Sequence, residues 1–243
     1  MRSMQMAYYR ADLAQVHHHG FAGHAQACAP GVLDLLEPVR GGTVLEIGCG
    51  SGLLTRELAA AGHRVMAVDA SSAMLALLST QELPGVDTQL IRLPAVLPAA
   101  DAVVGVGHIL NYLPDTAAVD RTWAAIATAL RPGGVLALDI CDLEYGRARR
   151  DAPPLGRVGE DWAIVTEFSR PRPDLFVREM TTFVRDVDGA YRRDHERHDN
   201  VLLDTRALPE KLAKLGLRVI IANAFGSEEL PVGLRTVIGT RTA

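Results

Sequence analysis

The chain has no positive charge to spare. Its 25 basic and 29 acidic residues among 243 leave a formal net charge of −4, spread along its length, so no broad attraction to nucleic acid and no such partner are expected. No apolar run approaches the roughly 20 residues of a membrane span, and the opening Met-Arg-Ser-Met-Gln-Met lacks a signal-peptide apolar core. No membrane partner is expected, and the expected location is cytoplasmic. Cysteine is scarce: Cys28, Cys49 and Cys141 are odd in number and lack metal-ligand spacing, so they read as reduced, buried thiols. His17, His18 and His19 have no carboxylate or cysteine at matching spacing, and no metal is expected.

What is present is apolar bulk and one informative turn. A hydrophobic content of 48% in 243 residues suits a single α/β domain with an elaboration. Within it, Thr43-Val44-Leu45-Glu46-Ile47 has strand character and runs into Gly48-Cys49-Gly50-Ser51-Gly52, after which Leu54, Leu58 and Ala61 recur at helical spacing. Glycines at alternate positions let a turn take unusual backbone angles and let a ligand lie against its amides. A second strand over 64–68 ends at Asp69, about 20 residues past the turn, where a ribose-binding carboxylate belongs in a doubly wound fold. Its two oxygens can accept from two vicinal hydroxyls; alternatively Asp69 caps the helix that follows, as Ser71 or Ser72 would also do.

A further absence narrows the ligand. The dinucleotide fingerprint would need Gly or Ala at position 53, which is Leu53, and a pyrophosphate would not welcome Glu46 at the strand end. A carboxylate there suits a ligand with a cationic end, such as the ammonium of an amino acid. At these residues the chain resembles the class I, Rossmann-like S-adenosylmethionine-dependent methyltransferases, of the small-molecule or natural-product type. Residues 44–52 resemble that family's first motif, and Val68-Asp69-Ala70-Ser71 with Met74-Leu75 its second. Gly107-His108-Ile109-Leu110-Asn111-Tyr112-Leu113 resembles the segment that lines the methyl-donor pocket, and Leu130-Arg131-Pro132-Gly133-Gly134 is another shared turn.

The resemblance implies a seven-stranded mixed sheet in a doubly wound α/β fold, with S-adenosyl-L-methionine as cofactor. Expected cofactor contacts are Glu46, Gly48, Cys49, Gly50, Gly52, Asp69, Ala70, Ser71, Met74, Leu93, Gly107 and His108. Many relatives carry an acid after the third strand for the adenine amino group. Here that segment is Arg92-Leu93-Pro94-Ala95, so adenine is expected to rest on apolar packing, with Met74 and Leu93 as candidates, and on backbone groups. The expected organisation is a helical cap over 1–40, a cofactor-binding core over 41–140, an insertion over 141–204, and a C-terminal helix and strands over 205–243. Later core strands are expected at 88–93, 102–106, 135–140, 217–223 and 236–242.

The implied activity is methyl transfer to an N or O atom of a small molecule, a secondary metabolite or sugar. The alternative is a cofactor-binding protein of the same fold that transfers no methyl. His108, His18, His19 and His24 are the candidate bases, and Tyr112 could orient the acceptor. The insertion is far longer than an ordinary connection and predicts strands at 162–168, 175–185 and 191–203 with a turn at Asp188-Gly189, forming a lid or a homodimer surface. On its return strand Arg193, His195, Arg197 and Asp199 face one side, and Arg192, Asp194, Glu196, His198 and Asn200 the other. Neither face is apolar. A solvated strand is the expected reading, ahead of a polar pocket wall. Arg147, Arg149 and Arg150 read either as an anion site or as plain surface.

Overall fold

The computed structural model describes residues 8–242. Two helices open it, α1 (Ala11–Gly20) and α2 (Ala22–Leu35). The central sheet follows with β1 (Thr43–Ile47), β2 (Arg64–Asp69), β3 (Val86–Leu90), β4 (Ala100–Gly105) and β5 (Leu130–Cys141), alternating with α3 (Leu53–Ala60), α4 (Ser72–Ser79) and α5 (Thr116–Ala129). After the short α6 (Leu143–Ala148) come β6 (Leu155–Val158), β7 (Trp162–Arg172), β8 (Leu175–Arg185) and β9 (Tyr191–Val201). The chain finishes with α7 (Leu208–Ala213), β10 (Leu217–Ala222) and β11 (Leu234–Arg241).

Seven strands form one sheet in the order β10-β11-β5-β4-β1-β2-β3. The five around β1 are parallel, and β11 and β10 return antiparallel. This is a doubly wound, Rossmann-like α/β sheet of mixed sense. One face is covered by Val119, Trp123 and Ile126 of α5, the other by Cys28, Val32 and Leu36 with Leu54 and Leu58 of α3. The strands in the middle are apolar on both sides because helices cover both.

Several boundaries differ from the sequence reading. β3 ends at Leu90 rather than running to 93, because its partner β2 ends at Asp69, which pairs with Leu90. β5 begins at Leu130, ahead of the glycine turn; the register shifts between Ala100 and Ala102 on β4, so Arg131-Pro132-Gly133-Gly134 bulges within the strand. α2 belongs to the layer on the sheet rather than to a cap, since Ala25, Cys28, Ala29 and Val32 place one apolar stripe against Val44 and Val65. All three cysteines are buried free thiols. Among the described residues no helix is long and apolar enough to cross a membrane.

The insertion forms a separate antiparallel sheet in the order β6-β7-β8-β9. α6 and the edge strand β6 lack a local signal and are additions to the expected hairpin. β7 is longer than expected because β8 pairs with it along its whole length, from Trp162–Val184 to Arg172–Leu175. Leu13 and Val16 of α1 pack on Ile164, Met180 and Val184, which holds this sheet over the C-terminal ends of the central strands.

Candidate active site

The glycine turn is built as its composition demands. Gly48, Gly50 and Gly52 all have positive φ, at 66°, 54° and 85°, in the region that side chains other than glycine's rarely adopt. A Cβ on Gly48 would lie 2.3 Å from Ile109, whereas one on Gly50 would meet only the Met74 sulfur at 3.9 Å. Space is therefore left on the Gly50 side of the turn. Asp69 pins the turn from β2: its Oδ2 accepts from Gly50 N at 2.9 Å and its Oδ1 from Ser71 N at 2.7 Å. Ser71, not Asp69, caps α4, accepting from Met74 N at 3.1 Å.

Beside this turn opens a cleft of about 830 Å³ including its mouth. Gly48, Asp69, Ala70 and Ser71 form one wall, Ile91, Arg92 and Leu93 the end, and Ile109, Tyr112 and Leu113 the opposite wall, with Tyr8 and Tyr9 above. Of the expected contacts, Gly48, Asp69, Ala70, Ser71 and Leu93 thus meet in one place. Met74 does not line it; the side chain is buried beneath the turn. Glu46, at 2% exposure, accepts from Thr55 Oγ1 at 2.6 Å. Burial pushes its pKa up to about 8, only partly offset by the Thr55 bond, so without a cation nearby it holds its proton near neutrality. The fixed negative charge expected at this position is absent until something positive approaches.

The other half of the site centres on Asp139, a buried acid at the end of β5. It accepts from Gly107 N at 2.9 Å, from His108 N at 2.6 Å, and from His24 Nε2 at 2.8 Å. His24 is held protonated, its pKa raised to about 10: burial opposes the charge, but the bonds to Asp139 and Cys28 prevail. His108, at φ +50°, keeps a pKa well below the usual imidazole value through burial and the nearby Arg178 charge. Arg178 Nη2 lies 3.2 Å from His108 Nε2. Because a guanidinium only donates, that nitrogen accepts, and the lone pair a base would use is engaged. The Tyr112 hydroxyl and Asn200 Oδ1 face the same Nη2, whose two hydrogens are shared among the three acceptors.

The cap histidines separate. His18 Nδ1 lies 2.8 Å from Ser51 Oγ at the glycine turn. His19 is exposed and borders a different groove, with Trp162 and Asp186, away from the cleft. Arg149 stacks on Tyr145 at 3.7 Å and donates to Val232 O, tying down α6.

The return strand is solvated on the side of Arg193, His195 and Arg197, as expected, but not on the other. Glu196, His198 and Asn200 are buried. Glu196 accepts from the backbone N–H of Tyr9 and Arg10 at 2.8 and 2.7 Å, and from His198 Nε2 at 2.9 Å. Ser71 Oγ donates to Tyr9 O at 2.7 Å. Tyr8, Tyr9 and Arg10 thus form a strap between the lid sheet and the cleft. Asn111 ties lid to core, donating to Val201 O and Cys141 O and accepting from Cys141 N. Arg178, Asp139 and the strap were not anticipated. The one local clue was an acid inside the apolar run 135–140.

Comparison with known proteins agrees with this geometry. Residues 44–134 match a family described as a methyltransferase domain. A protein of Geobacillus sp. (strain WCH70) described as a methyltransferase is 27% identical over 194 residues, covering 77% of this chain and 78% of that one. Among solved structures, an S-adenosylmethionine-dependent methyltransferase from Clostridium acetobutylicum superposes with a TM-score of 0.77 at 18% identity, covering 95% and 98% of the two chains. The sugar N-methyltransferase KedS8 from Streptoalloteichus sp ATCC 53650 does so with a TM-score of 0.73 at 22% identity, covering 94% and 91%. The open space at Gly50, the cleft beside the turn and a buried acid at the end of β1 fit an S-adenosylmethionine molecule better than a dinucleotide. On the motif, the fold and the matched domain together, residues 44–134 carry a methyltransferase domain within a fold shared by S-adenosylmethionine-dependent methyltransferases.

Proposed function

We propose that the chain methylates an amine nitrogen of a small polar molecule, a sugar or secondary metabolite, held between the cleft and the lid sheet. Bound S-adenosylmethionine supplies an electrophilic methyl group on a sulfonium. The chain's residues then have to hold an acceptor in line and exclude water. Ribose and adenine binding falls to Asp69, Ala70 and Leu93. Glu46 is placed to favour the cationic tail, with Gly48, Cys49, Gly50 and Gly52 as backbone contacts and Gly107 and His108 at the methyl end. Tyr112 borders both the cleft and the polar face of the lid, where it can orient the acceptor.

One observation carries the choice of nitrogen over oxygen. His108, the candidate base that directly follows the fourth strand, is committed: its Nε2 accepts from Arg178, so that lone pair is not free to take a proton from the acceptor. An aliphatic hydroxyl needs a base to take its proton, whereas an amine attacks with a lone pair it already has. KedS8, similar in fold, is a sugar N-methyltransferase, which supports the same reading.

The test is incubation with methyl-labelled S-adenosylmethionine and paired sugars, each amino sugar beside its hydroxyl counterpart. Label is expected on the amino member alone. Equal or preferential labelling of the hydroxyl sugar would overturn the proposal.

A further inference from the structure

The structure points to a chemical feature of the acceptor, an inference that rests on the methyl-transfer reading. β8 carries Arg178 to the inner face of the lid sheet, directly opposite His198 on β9. A guanidinium is charged at every pH at which the chain is folded, and burying one without an anion is costly. Yet its contacts are neutral: His108 Nε2, the Tyr112 hydroxyl and Asn200 Oδ1. Glu196, the acid on the neighbouring strand, is taken up by the strap and His198. Among the described residues no carboxylate forms an ion pair with Arg178.

Two donors are left over. Among the described residues, Arg178 Nε and Asn200 Nδ2 are buried donors without a hydrogen-bond partner, and the acceptor His198 Nδ1 is unpartnered as well. The Asn200 amide is oriented by Arg178, since its oxygen must face a group that only donates, so the orphaned atom is a genuine N–H donor. Buried polar atoms are normally satisfied, and exceptions call for an explanation. One uncompensated positive charge and two orphaned donors, linked by a 3.2 Å hydrogen bond between the two side chains, lack an oxyanion.

We infer that Arg178 and Asn200 form a subsite for a carboxylate carried by the methyl acceptor. One guanidinium balances one negative charge. The subsite sits beyond Tyr112 from the cleft, on the lid side, where an acceptor rather than the nucleoside would lie. The other source of a carboxylate is the cofactor's own amino-acid tail, and the experiment separates the two.

The full chain, saturated with S-adenosylhomocysteine, is titrated with acetate and with neutral acetamide by calorimetry. Acetate is expected to bind saturably and acetamide not. Arg178→Met is expected to weaken acetate binding at least about tenfold while S-adenosylhomocysteine affinity changes less than about twofold; Asn200→Ala, which leaves Arg178 in place, weakens acetate severalfold and serves if Arg178→Met does not fold. Equal binding of acetate and acetamide, or acetate binding that survives both substitutions, overturns the inference. A comparable loss of S-adenosylhomocysteine affinity in Arg178→Met overturns it too, by assigning the subsite to the cofactor. If the wild-type chain bound no S-adenosylhomocysteine, the methyl-transfer reading would fall. The acetate titration of the unloaded chain would still judge the subsite.

Discussion

Glu46 shows how burial decides what a motif residue does. Its carboxyl sits in the sheet with one hydrogen bond from Thr55 and a pKa raised to about 8. The folded chain therefore binds more protons than the unfolded chain between about 4.5 and 8, and this residue makes stability fall as pH rises through that window. An ammonium nearby favours the carboxylate, so cofactor binding should expel the proton. Affinity for S-adenosylhomocysteine is expected to rise with pH from about 6 to 8, by at most about tenfold per unit, with proton release measurable by calorimetry in two buffers of different ionisation enthalpy. Glu46→Gln should bind more weakly at pH 8 and show no such slope. The position of Glu46 was legible as a motif; its protonation was not, since that depends on Asp69 and on the layers that close over it. Asp139 was less legible still, because its partner His24 is 115 residues away.

Among the elements, the β1–α3 turn carries many of the proposed cofactor contacts, and its glycines are not equivalent. Gly48 packs on Ile109, so Gly48→Ala meets both a strained φ and a 2.3 Å contact and should lower stability and binding together. Gly50→Ala meets open space. The left-handed backbone costs about 1–2 kcal/mol, a modest fall in Tm, while S-adenosylhomocysteine affinity should drop more than tenfold because the added methyl stands where a ligand would lie. Equal losses at both positions in paired thermal and calorimetric measurements would remove Gly50 from the site. The turn was readable because its information is local: strand, glycine spacing and helix start lie within a dozen residues. β9 was misread for the opposite reason. Its run of charges looks solvated on both faces, but Tyr8, Tyr9 and Arg10 from the start of the chain meet Glu196 and His198, and Arg178 of β8 meets Asn200.

For the whole molecule, the consequential arrangement is the strap and lid over the C-terminal edge of the sheet. Tyr9 and Arg10 hang from Glu196 by two backbone hydrogen bonds, while Tyr9 O receives Ser71 Oγ from the cleft wall. Charge-assisted bonds of this kind are worth about 1.5–3 kcal/mol, so Glu196→Ala should release the strap. Trypsin cleavage after Arg10 is then expected to accelerate, and S-adenosylhomocysteine to dissociate faster, both read by limited proteolysis and stopped-flow displacement. Unchanged cleavage and release would show that the strap is held by its aromatic packing instead. Periodicity and motif spacing in the sequence were enough to determine the doubly wound sheet, the glycine turn, Asp69 and the existence of the insertion, because each is written in residues close together. Only the tertiary structure decided which polar groups share the site. Asp139 with His24, Arg178 with Asn200 and Glu196 with the strap are pairings across separate elements, and burial, which sets their charge and hydrogen bonding, exists only once those elements have packed.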